Sequence, residues 1–179
     1  MGRQAPERGL EVRIDEKEIV LNITGLGIVF HSPLFGKHIA EGQDYLSTNY
    51  TTAEQVQSHI QKGSIVGFGT GSSGAFILKF RSGYPDEDFL QKCQFKLRLG
   101  LHCLGGKVFF RDLYELLDWH ADCPPNRILE LEDGFYHVTL CSNRPASGII
   151  GDNQEILVYL QKLNEFPRLA KEGVPMLVM

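Results

Sequence analysis

The run Ile65-Val66-Gly67-Phe68-Gly69-Thr70-Gly71-Ser72-Ser73-Gly74 contains the spacing G-x-G-x-x-G, and the residues after it constrain the fold more than the motif does. A dinucleotide fingerprint needs a helix behind its last glycine, because the pyrophosphate rests on the free N–H groups of that helix's first turn. Here the chain continues Ala75-Phe76-Ile77-Leu78-Lys79-Phe80-Arg81, with Phe76, Leu78 and Phe80 on one side and Lys79 and Arg81 on the other. A period of two is a strand. Nor does an acid near position 94 take the ribose-binding part, since Gln94 lies in a second strand-like run. The glycines therefore read as a flexible link between two strands, and no cofactor is expected.

A chain of 179 residues is long enough to bury roughly 70% of its unfolded surface, so neither disulfides nor a metal is required for stability. Residues 1–9 hold almost no apolar side chains and read as a disordered lead-in, and 10–179 as a single globular domain. No stretch reaches the roughly 20 apolar residues of a membrane helix, and the start lacks the apolar core of a signal peptide, so a cytoplasmic protein is expected. Cys93, Cys103, Cys123 and Cys141 are too widely spaced for C-x-x-C metal pairs and read as reduced thiols. The net charge of −4 disfavours direct contact with a nucleic-acid backbone, which demands a surplus of Lys and Arg, and leaves a basic protein partner open.

Along the chain, Leu10, Val12 and Ile14 alternate with charged residues as a first strand would, and Ile19–Ile23 supplies a second. The stretch from Gly25 to Asn49 shows no sustained period and reads mostly as loop. Thr51–Gly63 is the best helix, with Thr51 as cap, Glu54 completing a capping box and Gly63 ending it. Strands are expected over Ser64–Phe68, Ala75–Arg81, Lys92–His102 and Lys107–Phe110, the last two joined as a hairpin through Leu104-Gly105-Gly106. Asp112–Leu117 reads as a short helical turn. Arg127–Leu131, the turn Glu132-Asp133-Gly134 and Phe135–Cys141 form the strongest hairpin signal, and Glu155–Gln161 a final strand. The apolar, proline-broken tail is expected to cap a sheet edge. Many strands with one secure helix give a mainly β fold, an antiparallel β-sandwich with one or two short helices, α+β being the alternative. Its core is expected from Phe76, Leu78, Phe80, Phe95, Leu97, Leu99, Leu129, Leu131, Tyr136, Val138, Leu140, Leu157 and Tyr159.

Candidate chemistry is sparse. His137 and Cys141 share a strand face, but i and i+4 on a strand are about 13 Å apart, too far to share one zinc ion. Trp119-His120-Ala121-Asp122 reads either as a recognition loop with an exposed Trp119 or as the apolar face of Leu113, Leu116 and Leu117 continued into the core. The acidic groups Asp86, Glu87 and Asp88, and Glu130, Glu132 and Asp133, fall at expected loops or turns, where a field of one sign steers a basic partner. With Trp119 they make up the candidate partner-binding residues. No catalytic or metal residue is assigned.

The order Ala75-Phe76-Ile77-Leu78-Lys79-Phe80, a charged loop, the strand through Phe95-Lys96-Leu97, a helical turn and the run Ile128-Leu129-Glu130-Leu131-Glu132-Asp133-Gly134-Phe135-Tyr136-His137-Val138-Thr139-Leu140-Cys141 resembles the competence protein J family. These are small bacterial inhibitors of a DNA-entry nuclease. The resemblance spans residues 60–160; the first 50 residues and the tail depart from it, so no functional residue transfers. It implies a non-catalytic inhibitor or immunity protein that neutralises a toxic enzyme such as a nuclease, with a protein partner, no direct nucleic-acid contact and no membrane. A small hydrolase using His102 or His137 with a cysteine or carboxylate is the rival from another class, and a structural module the third.

Overall fold

Alternation of apolar and polar residues sets the framework. In chain order the elements are β1 (Glu18–Ile23), β2 (Gly27–His31), α1 (Tyr45–Asn49), α2 (Ala53–Lys62), β3 (Ile65–Gly69), β4 (Gly74–Ser82), α3 (Glu87–Lys92), β5 (Phe95–Cys103), β6 (Lys107–Asp112), β7 (Ile128–Glu130), β8 (Gly134–Ser142) and β9 (Gln154–Leu163). The computed structural model describes residues 14–169 and 174–177. The larger sheet has the order β1-β4-β9-β8-β5 and the smaller β3-β2-β6-β7. Ile19, Leu21 and Ile23, then Phe76, Leu78 and Phe80, then Leu97, Leu99 and Leu101 point inward from their strands and are buried. Facing them, Ile28, Phe30, Val108, Phe110 and Leu129 come from the smaller sheet. Each such side chain contributes about 1.5–3 kcal/mol on leaving water.

The mainly β sandwich expected from sequence is present. Its larger sheet is mixed, because β4 and β9 run parallel, Phe76 opposite Gln154 through Ser82 opposite Leu160. A parallel neighbour cannot be reached by a tight turn. From β4 the chain instead passes through α3 to β5, which lies at the far edge of the same sheet.

Three of the glycine-bearing turns, those that the sequence marks between strands, cross between sheets. Gly69–Gly74 carries the chain from β3 to β4, Leu104-Gly105-Gly106 from β5 to β6, and Glu132-Asp133-Gly134 from β7 to β8. Only the first was expected simply as a link; the other two are not the hairpins that their turn residues imply. In the first, Gly71 takes φ 74°. A Cβ on Gly74 would overlap the Gly151 backbone, whose carbonyl accepts from Ala75 N–H at 2.7 Å. The glycines there serve close packing of two loops.

Other corrections are local. Leu10 and Val12 lie outside the described residues, and Ile14–Glu16 is a 3₁₀ turn rather than strand. The expected loop after Gly25 holds β2, buried along its whole length, and α1. The cap of α2 is Thr52, one residue later than expected, and the box closes through Gln55 rather than Glu54. Gly63 ends it at φ 62° as expected. In β9 the buried set is Ile156, Val158 and Leu160, so Leu157 and Tyr159 belong to the outer face. The tail does cover an edge: Gly69 of β3 bridges Met176, with Gly69 N–H donating to the Pro175 carbonyl at 2.8 Å.

Candidate functional site

The link from β1 to β2 is held by one carboxylate. Asp112, the last residue of β6, is 8% exposed. It accepts from Thr24 N–H at 2.7 Å, Thr24 Oγ1 at 2.9 Å, Gly25 N–H at 3.0 Å and Tyr114 N–H at 3.1 Å. It thereby fixes the loop and caps the 3₁₀ turn Leu113–Leu117 at once. In this clamp Leu26 adopts φ 59°, a left-handed conformation that costs a residue with a Cβ about 1–2 kcal/mol. Its side chain is 51% exposed. The strain is not repaid by burial.

Exposed apolar side chains surround it. The Tyr114 ring packs over Gly25, where a Cβ would meet it at 2.7 Å, and Leu117 lies three residues on, directly above Tyr114 in a 3₁₀ turn. Both are exposed, as is Met176, which lies against Gly69 on the other flank. Beyond Leu117 the surface turns acidic. Asp118 and Glu41 bracket His120, with Asp118 Oδ2 at 3.4 Å and Glu41 Oε2 at 3.1 Å from its ring nitrogens. Glu41 also accepts Ala121 N–H, which holds its carboxyl below the usual range, while the Glu41 contact raises His120. Asp122 is exposed beside them. The arrangement is an apolar patch with an acidic rim.

The residues expected to bind a partner are distributed otherwise. Asp86 caps α3 by accepting Asp88 N–H at 2.8 Å, and Asp86, Glu87 and Asp88 are exposed on that short helix. Glu130, Glu132 and Asp133 come together at the arch between β7 and β8, where Glu132 pairs with Lys162 at 2.8 Å and Asp133 accepts Gly106 N–H at 2.6 Å. Trp119 is 1% exposed and offers no surface to a partner. It packs on His31, on Gly36 and under the Arg111 guanidinium at 4.6 Å, as the continuation of the Leu116 face.

Sequence reasoning passed over the buried cluster around it. Arg111 is 1% exposed; its Nε donates to His31 Nε2 at 3.1 Å, one Nη donates to the Ala121 carbonyl at 3.3 Å, and the other faces Glu115 at 3.7 Å. Glu115 in turn holds Arg127 at 2.6 and 3.1 Å. His31 Nδ1 bonds the Ser32 carbonyl at 2.8 Å, so the ring is a neutral tautomer with its proton on Nδ1. Burial pulls its pKa down to about 4.

A second chain of hydrogen bonds lines a 250 Å³ cavity: Tyr45 donates to His59 Nε2 at 2.6 Å, and His59 Nδ1 donates to the Gln55 carbonyl at 2.7 Å. The histidines and cysteines weighed for hydrolysis remain apart. His102 stacks on Phe135 at 4.5 Å and His137 meets the Tyr84 hydroxyl at 2.7 Å. Burial raises the thiols of Cys103, Cys123 and Cys141, the last to about 12, which leaves little nucleophilic thiolate. Among the described residues no group of three or more His, Cys, Asp or Glu is placed to hold a metal.

No family model and no curated protein matches the chain. Two solved structures are similar in fold. One is ComJ from Bacillus subtilis, an inhibitor of the DNA-degrading activity of NucA, with 12% identity, TM-score 0.49, and 82% of this chain and 96% of that one covered. The other is the product of crocagin biosynthetic gene J, with 14% identity, TM-score 0.50, and 80% and 95% covered. The second likeness shows a shared sandwich architecture. No helix among the described residues is long and apolar enough to cross a membrane.

Proposed function

We propose that this protein acts by binding a basic protein, as an inhibitor or immunity protein does, through the surface formed by Leu26, Tyr114 and Leu117 with the rim of Glu41, Asp118 and Asp122. The observation that carries this reading is Leu26: a strained backbone, clamped by a buried carboxylate, that presents an apolar side chain to water. Strain held in place by surrounding structure marks functional positions more often than it marks neutral ones. An apolar centre with a charged rim is the anatomy of a protein interface, the centre supplying affinity and the rim the encounter rate. Enzymes that act on nucleic acid carry Lys- and Arg-rich surfaces for the phosphate backbone, and such a surface complements this rim; a nuclease is the partner class it fits best.

The test compares the full chain with Leu26→Asp and with Glu41→Lys/Asp118→Lys, using partners captured from the source cell and then purified. The reading requires a basic nuclease whose activity falls on binding. Leu26→Asp should weaken the complex by about tenfold or more, and the charge-reversed form should slow association most at low salt. A partner held with undiminished affinity by Leu26→Asp overturns the proposed surface, and turnover of a substrate by the purified protein alone overturns the binding role.

A further inference from the structure

The outer face of the larger sheet carries a feature of opposite charge. A cavity of about 410 Å³ opens between α3, β5, β8 and the segment after β9, and its polar lining is Lys96, Arg98, His137, Thr139 and Arg168. No carboxylate lines it. Among the described residues none lies within ion-pairing distance of the three cations either. Three positive charges thus line one cavity on a protein of net charge −4, Lys96 giving one hydrogen bond to the Leu90 carbonyl at 3.5 Å, and a bound anion would offset their mutual repulsion.

Arg98 is also held in a receiving pose. Its Nε donates to Thr139 Oγ1 at 2.8 Å and its guanidinium carbon stands 4.9 Å over the Tyr84 ring, while Tyr84 is pinned through its hydroxyl to His137 Nδ1 at 2.7 Å. With Nε occupied and the plane fixed, the two Nη groups are left to fork onto an oxyanion. The roof is fixed as well: Gly100 of β5 has no Cβ, and one there would meet Phe166 at 2.7 Å and Pro167 at 2.9 Å, so the glycine lets the segment bearing Arg168 lie flat on the strand. Leu90 and Leu169 supply apolar walls beside the cations.

We infer that this cavity is a binding site for an organic phosphate, with the phosphoryl group on Arg98, Lys96 and Arg168 and an apolar body against Leu90 and Leu169. Three cations match a dianion better than a carboxylate, and the volume lies in the range of small-molecule sites. The site is independent of the partner surface proposed above, so either can fail alone.

Titration calorimetry at low salt with inorganic phosphate, phenyl phosphate and benzoate tests it. Phenyl phosphate should bind about tenfold tighter than inorganic phosphate through its ring, and benzoate more weakly than either through its single charge. Arg98→Gln should weaken phenyl phosphate about tenfold or more, and Arg98→Lys, which keeps the charge without the fork, should fall between. Arg168→Gln, on an exposed segment, should weaken it by a smaller factor with no change in the fold. Failure of phenyl phosphate to bind, or an affinity indifferent to Arg98→Gln in a protein that melts normally, overturns the site. Benzoate binding as well as phenyl phosphate overturns the assignment to phosphate, and inorganic phosphate binding equally well overturns the organic body.

Discussion

Arg111 stacks over Trp119 at 4.6 Å and Arg98 over Tyr84 at 4.9 Å, and the two arginines are used in opposite ways. Arg111 is buried, and its three nitrogens face His31, the Ala121 carbonyl and Glu115. Arg98 is exposed and spends only Nε, on Thr139. The first ties β6 to β2 and to the loop after the 3₁₀ turn. The second has hydrogen-bonding capacity left over at the mouth of a cavity. A buried polar group must be satisfied within the fold and so reports on architecture; a partly satisfied one at the surface reports on a ligand.

Arg111→Ala should produce the largest effect. It leaves the buried His31 Nε2 and the Ala121 carbonyl without their donor and opens space beside Trp119, while Glu115 keeps Arg127, for a loss of about 3–5 kcal/mol in urea unfolding. A loss under about 1 kcal/mol would mean that Arg111, like Arg98, contributes little to the fold, and the contrast would collapse.

Next comes the pH response of the same cluster. The His31 pKa lies at about 4 in the fold against 6.5 for the free side chain. The unfolded chain therefore takes up the proton first as pH falls. The contribution of neutral His31 is complete above about 6.5, shrinks between 6.5 and 4, and totals on the order of 3 kcal/mol. Unfolding free energies measured across that window should fall less steeply for His31→Gln than for the parent. Equal slopes would show that the ring is not held neutral.

How far such contrasts can be read from sequence follows from where each signal resides. One-sided strands declare themselves: Phe95, Leu97, Leu99 and Leu101 alternate with Gln94, Lys96 and Arg98, and the structure keeps that phase. β2 does not, because Ile28, Val29 and Phe30 are buried on both faces and no alternation exists to detect. In β9 every residue from Ile156 to Leu160 is apolar or aromatic, so either phase satisfies the pattern and only the packing picks Ile156, Val158 and Leu160. Glycine turns were legible as turns, but whether a turn returns to the same sheet depends on strand partners far along the chain. The site was hidden for the same reason. Asp112 clamps Thr24 from 88 positions away, and Leu26 lies between Gly25 and Gly27, where positive φ would be assigned to a glycine. Acidic runs drew notice, whereas Glu41, Asp118 and Asp122, the exposed acids around His120, are scattered singly through the sequence.

Leu26→Gly probes a middle case, a residue whose backbone is fully constrained while its side chain has nothing to touch. Glycine adopts φ 59° without the Cβ penalty, so the fold should gain about 1 kcal/mol, less the entropy of a freer unfolded chain. Affinity for the basic partner should fall at the same time. A variant that is more stable and binds less well separates the two roles in one substitution; one that loses stability shows that Leu26 packs in the fold, and its exposure then marks no interface.

The smallest change in stability is expected at Arg98, and that smallness is itself informative. Arg98 is exposed, its guanidinium is open to solvent screening, and the hydrogen bond it gives up leaves Thr139 Oγ1 short of a donor. Arg98→Ala should therefore alter the unfolding free energy by only about 0.5 kcal/mol. The substitution also removes one of three like charges around the cavity, which acts in the stabilising direction, so at low ionic strength the change should move toward zero or become favourable. Added salt screens that repulsion and should stabilise the parent more than the variant. Adding a phosphate ester should stabilise the parent by mass action and leave the variant where it was. If Arg98→Ala instead costs as much as Arg111→Ala, both arginines serve the fold, and the unpaired cations of the outer face cease to be evidence for a ligand.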